Sequence, residues 1–276
     1  EGYAIFDKTC FYATSGGQVS DTGMIIGKNF KARVLDVFKA PNGQHIHKIK
    51  ILSGKINNNE EVELIIDYKR RLEIESNHSS VHLLQYALRH LISEDIHQAG
   101  SYVDNEKLRF DFNYLGKITD EQLIAVENLV NDLINKKITR KTNIQNINEI
   151  NKNEVMALFS EKYGEKVRVV EIGPSKELCG GTHVKNTSDI KHFALLSLIN
   201  KGSNTYRIEA ATNGRIEEAM LDTCKPYNDE IVKLLLKGKT IIQKAKSYNI
   251  KLLLPLSDFN YKQTSYKDIC ILKNNL

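Results

Sequence analysis

No run of apolar residues reaches the roughly 18 to 20 that a membrane span needs, so the chain does not read as a membrane protein. Cysteine is scarce. Its four copies, Cys10, Cys179, Cys224 and Cys270, are scattered along 276 residues. That excludes a disulfide framework and points to a reducing, cytoplasmic setting. Charge of one sign is not in large excess: 39 Lys and Arg face 34 Asp and Glu, a net charge of +5. This permits an RNA partner without arguing for one. There is no internal repeat and no long low-complexity tract. The chain begins at Glu1 with neither an initiator Met nor a signal peptide, and is expected to be a fragment of something longer. Its length suits one large domain or two modest ones.

What is present is two short pieces with metal-ligand spacing. His78-Ser79-Ser80-Val81-His82 places two imidazoles at i and i+4, on one face of a helix. Cys179-Gly180-Gly181-Thr182-His183 has the same separation, but its glycines make it a loop. Three imidazoles and one thiolate suit Zn²⁺. No glutamate lies between the two histidines, so the helical metalloprotease reading lacks its general base. The other histidines, His45, His47, His90, His97 and His192, show no matching partner spacing and read as surface or satisfied core residues. A purely structural zinc is the plainer alternative. Against it stand Gly180 and Gly181, whose N–H groups could receive an oxyanion, and the hydroxyls of Ser79 and Ser80. Metal, hydroxyls and free N–H groups together suit ester or amide hydrolysis.

Around these pieces the pattern is α+β. Residues 1–66 carry short apolar runs punctuated by glycine and read as a small β-barrel. A helix is expected from Asp67 to about Ile92, with Leu84, Ala87, Leu88 and Leu91 in the core. A loop around Gly100 follows, then a strand over Lys107–Phe112. A second helix spans Glu121–Ile134, capped by Thr119 or Asp120. Residues 138–150 could pair at a sheet edge. Val167–Ile172 is a short strand leading to the cysteine loop. Phe193–Ile199 and Tyr206–Ala211 form an antiparallel pair turning at Lys201-Gly202-Ser203. From Ile216 to Tyr248 the chain is helical and lysine-rich, and a short mixed tail ends it. The lysines read as a solvated helix face before they read as an RNA contact.

Several ordered stretches resemble the editing region of alanyl-tRNA synthetase and its free-standing relatives. They are Phe11-Tyr12-Ala13-Thr14-Ser15-Gly16-Gly17-Gln18-Val19, Asn77-His78, His82-Leu83-Leu84, Gln98-Ala99-Gly100-Ser101, Leu108-Arg109-Phe110-Asp111-Phe112, Glu177-Leu178-Cys179-Gly180-Gly181-Thr182-His183-Val184 and Arg207-Ile208-Glu209-Ala210. Threonyl-tRNA synthetase has a related domain, but the Ser-Gly-Gly-Gln and Cys-Gly-Gly-Thr-His stretches look alanyl.

The resemblance implies a β-barrel subdomain over 1–68, a zinc-dependent editing core over 69–214 of the threonyl/alanyl second additional domain type, and a helical segment over 215–276. It implies zinc ligation by His78, His82, Cys179 and His183, and places Gln98 in the editing pocket. Thr182 and Ser79 are candidate pocket hydroxyls; Gly180, Gly181 and Arg109 are candidate substrate contacts. The implied reaction is hydrolysis of Ser-tRNA(Ala) and Gly-tRNA(Ala) at the tRNA acceptor end. ATP and Mg²⁺ would serve only an aminoacylation domain absent from this stretch, and homodimerisation would run through regions outside it.

Family members usually carry His-Thr-Ala-Thr-His where this chain has His-Ser-Ser-Val-His, so Val81 replaces a threonine hydroxyl. Cys10 stands where proline is common and reads as an ordinary buried thiol, and Ser20 stands where glycine is common. Arg109 and Arg207 could meet acceptor phosphates or pair internally with Asp111 or Glu209. The rival readings are a free-standing trans-editing hydrolase, a structural-zinc module that binds tRNA without catalysis, and a metallohydrolase for another small ester.

Overall fold

The computed structural model describes residues 1–151, 155–156, 164–252, 263–274 and 276. The chain opens with five strands, β1 (Gly2–Ala4), β2 (Gly23–Gly27), β3 (Phe30–Lys39), β4 (His45–Gly54) and β5 (Val62–Ile66). They form one antiparallel sheet in the order β1-β4-β3-β2-β5. Period-two alternation in β3 turns Phe30, Ala32 and Val34 inward and Lys31 and Arg33 outward. A register shift between Val34 and Asp36 then brings Val37 back inside. These side chains, with Phe11, Ala13, Ile25 and Ile49, make a core of their own.

The expected barrel does not close. β1 and β5 occupy opposite edges and do not pair, and β1 has only three residues with which to build a ladder. Cys10, expected to be buried, is exposed, with its thiol donating to the Leu64 carbonyl.

Helix α1 (Tyr68–Leu91) follows at once. Asp67 caps it, accepting the Arg70 N–H at 3.1 Å. Leu84, Ala87 and Leu88 are buried as expected, but Leu91 is 40% exposed because the last turn emerges from the core. Asp21 joins the first sheet to this helix. Its carboxylate accepts from Arg71 Nε at 2.7 Å and from the Tyr12 N–H at 2.6 Å, and Arg70 donates to the Ser20 carbonyl at 2.6 Å.

Helix α1 packs on a four-stranded antiparallel sheet and against α2 (Asp120–Asn135). The sheet runs β11-β12-β7-β6, from β11 (Phe193–Gly202), β12 (Thr205–Thr212), β7 (Leu108–Asn113) and β6 (His97–Val103). The loop expected around Gly100 is therefore strand, kept in the ladder by a bulge between Gln98 and Gly100. Thr119 caps α2 in a reciprocal box with Gln122. The 138–150 stretch does supply an edge strand, β8 (Lys141–Asn146), to a small sheet ordered β10-β9-β8. β9 (Lys166–Ile172) does not reach the cysteine loop directly. It turns at Gly173, φ 59°, into β10 (Ser175–Leu178), and β10 delivers Cys179.

The helical C-terminal stretch is α3 (Ile216–Ser247), whose buried residues end at Ile231. The tail lies partly outside the described residues. Its described part holds α4 (Tyr266–Asn274), anchored where the Glu127 carboxylate accepts the N–H groups of Tyr266 (3.1 Å) and Leu195 (2.7 Å). Residues of α1, α2, the four-stranded sheet, α3 and α4 share one large core. Among the described residues no helix is long and apolar enough to cross a membrane.

A candidate metal centre and the pocket beside it

The two pieces singled out by spacing meet. His78, His82, Cys179 and His183 each offer one ligand atom, and these atoms lie within 4.8 Å of one another. His78 and His82 sit on consecutive turns of α1, in its most deeply buried stretch. Cys179 and His183 lie on the turn that leaves β10. Cys179 Sγ stands 3.5 Å from His78 Nε2 and 3.3 Å from His183 Nε2.

The residues fit a metal. Each imidazole directs Nδ1 at a supporting group, which leaves Nε2 for the centre. His78 Nδ1 is 2.7 Å from Gln18 Oε1, and His183 Nδ1 is 3.3 Å from Ser79 Oγ. His82 Nδ1 is 3.6 Å from the Glu177 carboxylate and makes no hydrogen bond among the described residues. A carboxylate behind a histidine is the usual way a ligating imidazole is oriented. Burial, reinforced by His82 and Arg168, holds His78 down to about 3, and burial with Arg168 does the same for His82. Burial drives His183 well below its ordinary value. All three rings are therefore neutral, the form that binds metal. Burial pushes the Cys179 thiol up to about 11, so a cation would have to take the proton's place on sulfur. Burial also raises Glu177 to about 7, opposed by the Ser175 hydroxyl.

The cysteine turn is held from outside. Arg168 donates to the carbonyls of Cys179 (2.9 Å) and Gly181 (2.8 Å), and Arg140 donates to the His183 carbonyl (2.7 Å). The two glycines differ. A Cβ on Gly181 would stand 2.0 Å from His78 Cε1, so glycine is needed there for the turn to reach the ring. A Cβ on Gly180 would meet nothing within 4 Å. The Gly181 N–H donates to Cys179 Sγ at 3.5 Å, so it serves the sulfur.

A pocket of about 340 Å³ opens beside the cluster. That is at the lower end of the range for small-ligand sites, about 300–1,000 Å³. Tyr12, Ser15, Gly16, Val81, Gln98, Ser101 and Gly180 contribute to its wall, together with His78, His82 and Cys179. Gln98 donates to Ser101 Oγ at 3.2 Å, across the bulge in β6 between Gln98 and Gly100. Burial raises the Tyr12 phenol to about 12, and it donates to the Ser15 carbonyl at 3.0 Å.

The other sequence candidates stand elsewhere. Ser79 is fully buried behind the cluster, also accepting the Val184 N–H at 3.1 Å. Thr182 Oγ1 accepts from Gln18 Nε2 at 2.9 Å. Neither is among the residues lining the pocket. Arg109 lies on β7, 3.6 Å from Asp111 and over the Tyr102 ring, away from the pocket lining. Arg207 grips Asp111 with two bonds of 2.8 Å, the internal pairing. Gln18, Glu177 and Arg168 had drawn no role from the sequence. Gln18 and Glu177 lie inside stretches already recognised, so motif membership was the available signal. Arg168 had none.

Comparison with known proteins relates the chain to a family. Residues 167–209 match the family described as the threonyl and alanyl tRNA synthetase second additional domain, and residues 1–70 match class II (A) tRNA synthetases. An alanine–tRNA ligase of Halalkalibacterium halodurans is 43% identical over 90% of this chain and 27% of the ligase. The chain is homologous to part of alanine–tRNA ligase. The ligase of Mesoplasma florum is 43% identical over 81% of the chain and 25% of its own length. That of Staphylococcus saprophyticus is 46% identical over 76% and 24%. The chain thus spans about a quarter of the ligases it matches.

Proposed function

We propose that this chain is the editing portion of an alanine–tRNA ligase and hydrolyses the ester of Ser-tRNA(Ala) and Gly-tRNA(Ala). The observation that supports the reading is the four-ligand cluster with three of its members, His78, His82 and Cys179, in the wall of one pocket, in a chain homologous to those ligases. The need is physical. A pocket shaped for alanine cannot strongly exclude glycine, which is smaller, or serine, which adds only a hydroxyl. A second site removes the errors, and against serine it spares alanine by demanding the hydroxyl that alanine lacks.

His78, His82, Cys179 and His183 would hold Zn²⁺, which supplies Lewis-acid polarisation and a fixed positive charge. The chain's own groups do the rest. Gly180, Gln98 and Ser101 face the space where the aminoacyl end would sit. Water attacks its carbonyl and the ester C–O bond breaks. The free amino acid and the terminal ribose hydroxyl of the tRNA leave, the hydroxyl taking up a proton from the attacking water. Ser79 and Thr182 act from behind, holding His183 and the cysteine turn. Val81 offers the pocket a methyl surface, so serine's hydroxyl would turn to polar lining groups such as Gln98 and Ser101. The partner is the acceptor end of tRNA(Ala), in the cytoplasm; ATP and Mg²⁺ belong to the aminoacylation reaction of the whole ligase.

A deacylation assay on Ser-tRNA(Ala), with and without chelator, tests the reading. Cys179→Ala is expected to abolish hydrolysis, and full activity in that variant would refute it. Val81→Thr is expected to raise the ratio of seryl to alanyl hydrolysis; an unchanged ratio would remove Val81 from discrimination. One observation favours a second reading, tRNA binding without hydrolysis. Four protein ligands complete a tetrahedral set, as structural zinc sites do. Tight tRNA binding with no ester cleavage would establish it.

A further inference from the structure

Gln18 belongs to neither ligand pair, yet it touches both. It lies 60 residues before His78 and 164 before Thr182, and it is 1% exposed. We infer that Gln18 is a positioning residue for the metal centre: its carboxamide sets the tautomer of His78 and pins the cysteine turn against it.

The inference follows from hydrogen-bond bookkeeping. The Thr182 backbone N–H lies 2.9 Å from one end of the carboxamide. A backbone N–H can only donate, so that end is the oxygen. The other end then carries the hydrogens, and it donates to Thr182 Oγ1 at 2.9 Å. Oε1, now assigned, also stands 2.7 Å from His78 Nδ1. An oxygen that cannot donate forces Nδ1 to carry the proton. His78 is thereby left with its lone pair on Nε2, the atom 3.5 Å from Cys179 Sγ. Glu177 and Ser79 stand behind the other two histidines, and Gln18 takes that place for the first.

The residue is well fixed for the task. Ser15 and Gln18 exchange backbone bonds of 3.2 and 3.0 Å across a turn in which Gly16 and Gly17 have φ of 59° and 86°. Val103 donates to the Gly17 carbonyl at 2.8 Å, and the Val19 N–H donates to Val103 at 3.0 Å. A Cβ on Gly17 would lie 2.3 Å from the Ser101 carbonyl oxygen, so the turn seats on β6 only as glycine. The segment before β2 is thus part of the metal centre, which draws on three stretches of chain.

The inference rests on the metal reading of the cluster and is tested without tRNA. Zn²⁺ affinity of the chain is measured by competition with a chelating dye, and ligand geometry by the absorption spectrum of the Co²⁺-loaded protein. Gln18→Met, which keeps bulk and loses both polar ends, is expected to weaken Zn²⁺ by about 10–100-fold and to shift the Co²⁺ spectrum. Gln18→Glu keeps an acceptor for His78 and Thr182 and is expected to stay close to wild type. Wild-type affinity and spectrum in Gln18→Met would overturn the inference, as would an equal loss in Gln18→Glu. Should Gln18→Met not fold, ¹⁵N-histidine NMR of the wild-type chain decides: His78 protonated at Nδ1 supports the assignment, and protonation at Nε2 overturns it. Failure of deacylation with these readouts intact would fall on the editing proposal alone.

Discussion

The two halves of the metal centre are built by different means. His78 and His82 share a helix face, and their relative position follows from 3.6 residues per turn. The large core buries that stretch of α1, so the helix itself sets the spacing of the two imidazoles, and Gln18 and Glu177 only orient the rings. Cys179 and His183 have equal spacing but no helix. Their geometry is imposed from outside, by Arg168, Arg140, Ser79 and Gln18, and by a glycine that lets the turn close on His78. One half is local and the other is assembled. The assembled half also carries Gly180 into the pocket, where a ligand would meet it.

The comparison breaks most sharply at the glycines. Gly181→Ala places a methyl 2.0 Å from the His78 ring, which packing prevents from yielding. Loss of stoichiometric Zn²⁺ binding and a clear fall in Tm are expected. Gly180→Ala enters open space and should change stability by no more than about 0.5 kcal/mol. Thermal melts and dye competition on the pair check both outcomes, and equal behaviour would erase the distinction.

Chelation of the loaded chain should come next in size. Amides of residues 179–183 are expected to lose hydrogen-exchange protection at least tenfold, while those of α1 around His78 and His82 stay protected. Uniform loss would mean that the helical half-site also depends on metal. Arg168→Met removes two charge-assisted bonds to the cysteine turn. It should cost about 1.5–3 kcal/mol by urea denaturation and weaken Zn²⁺ binding. At the small end, Asp67→Ala removes the cap of α1 and should cost about 1 kcal/mol with Zn²⁺ affinity unchanged. A fall in affinity there would show that strain at the helix end reaches the ligands.

Legibility in the sequence followed the same divide. Helices α1 and α2, the hairpin of β11 and β12, and the ligand spacing could all be read because each rests on contacts a few residues apart. The stretch around Gly100 reads as loop because a bulge looks like a break until its partner strand is known. Short strands with frequent turns suit an open sheet as well as a barrel, and only pairing between edge strands distinguishes them. Ser79 and Thr182 were recognised as polar residues at the right place, but the side of the cluster on which they stand is set by β10 and Gln18.

The sequence by itself determined which side chains can ligate a cation, because residue type and i, i+4 spacing are local properties. It also carried enough identity to tie the chain to a part of alanine–tRNA ligase. The tertiary structure alone decided that the two pairs meet, that Gln18 and Glu177 stand behind the imidazoles, and that Gly181 rather than Gly180 is sterically required. Those facts depend on contacts between residues 60 to 164 positions apart or on what a missing side chain would strike, and no local pattern in the chain encodes either.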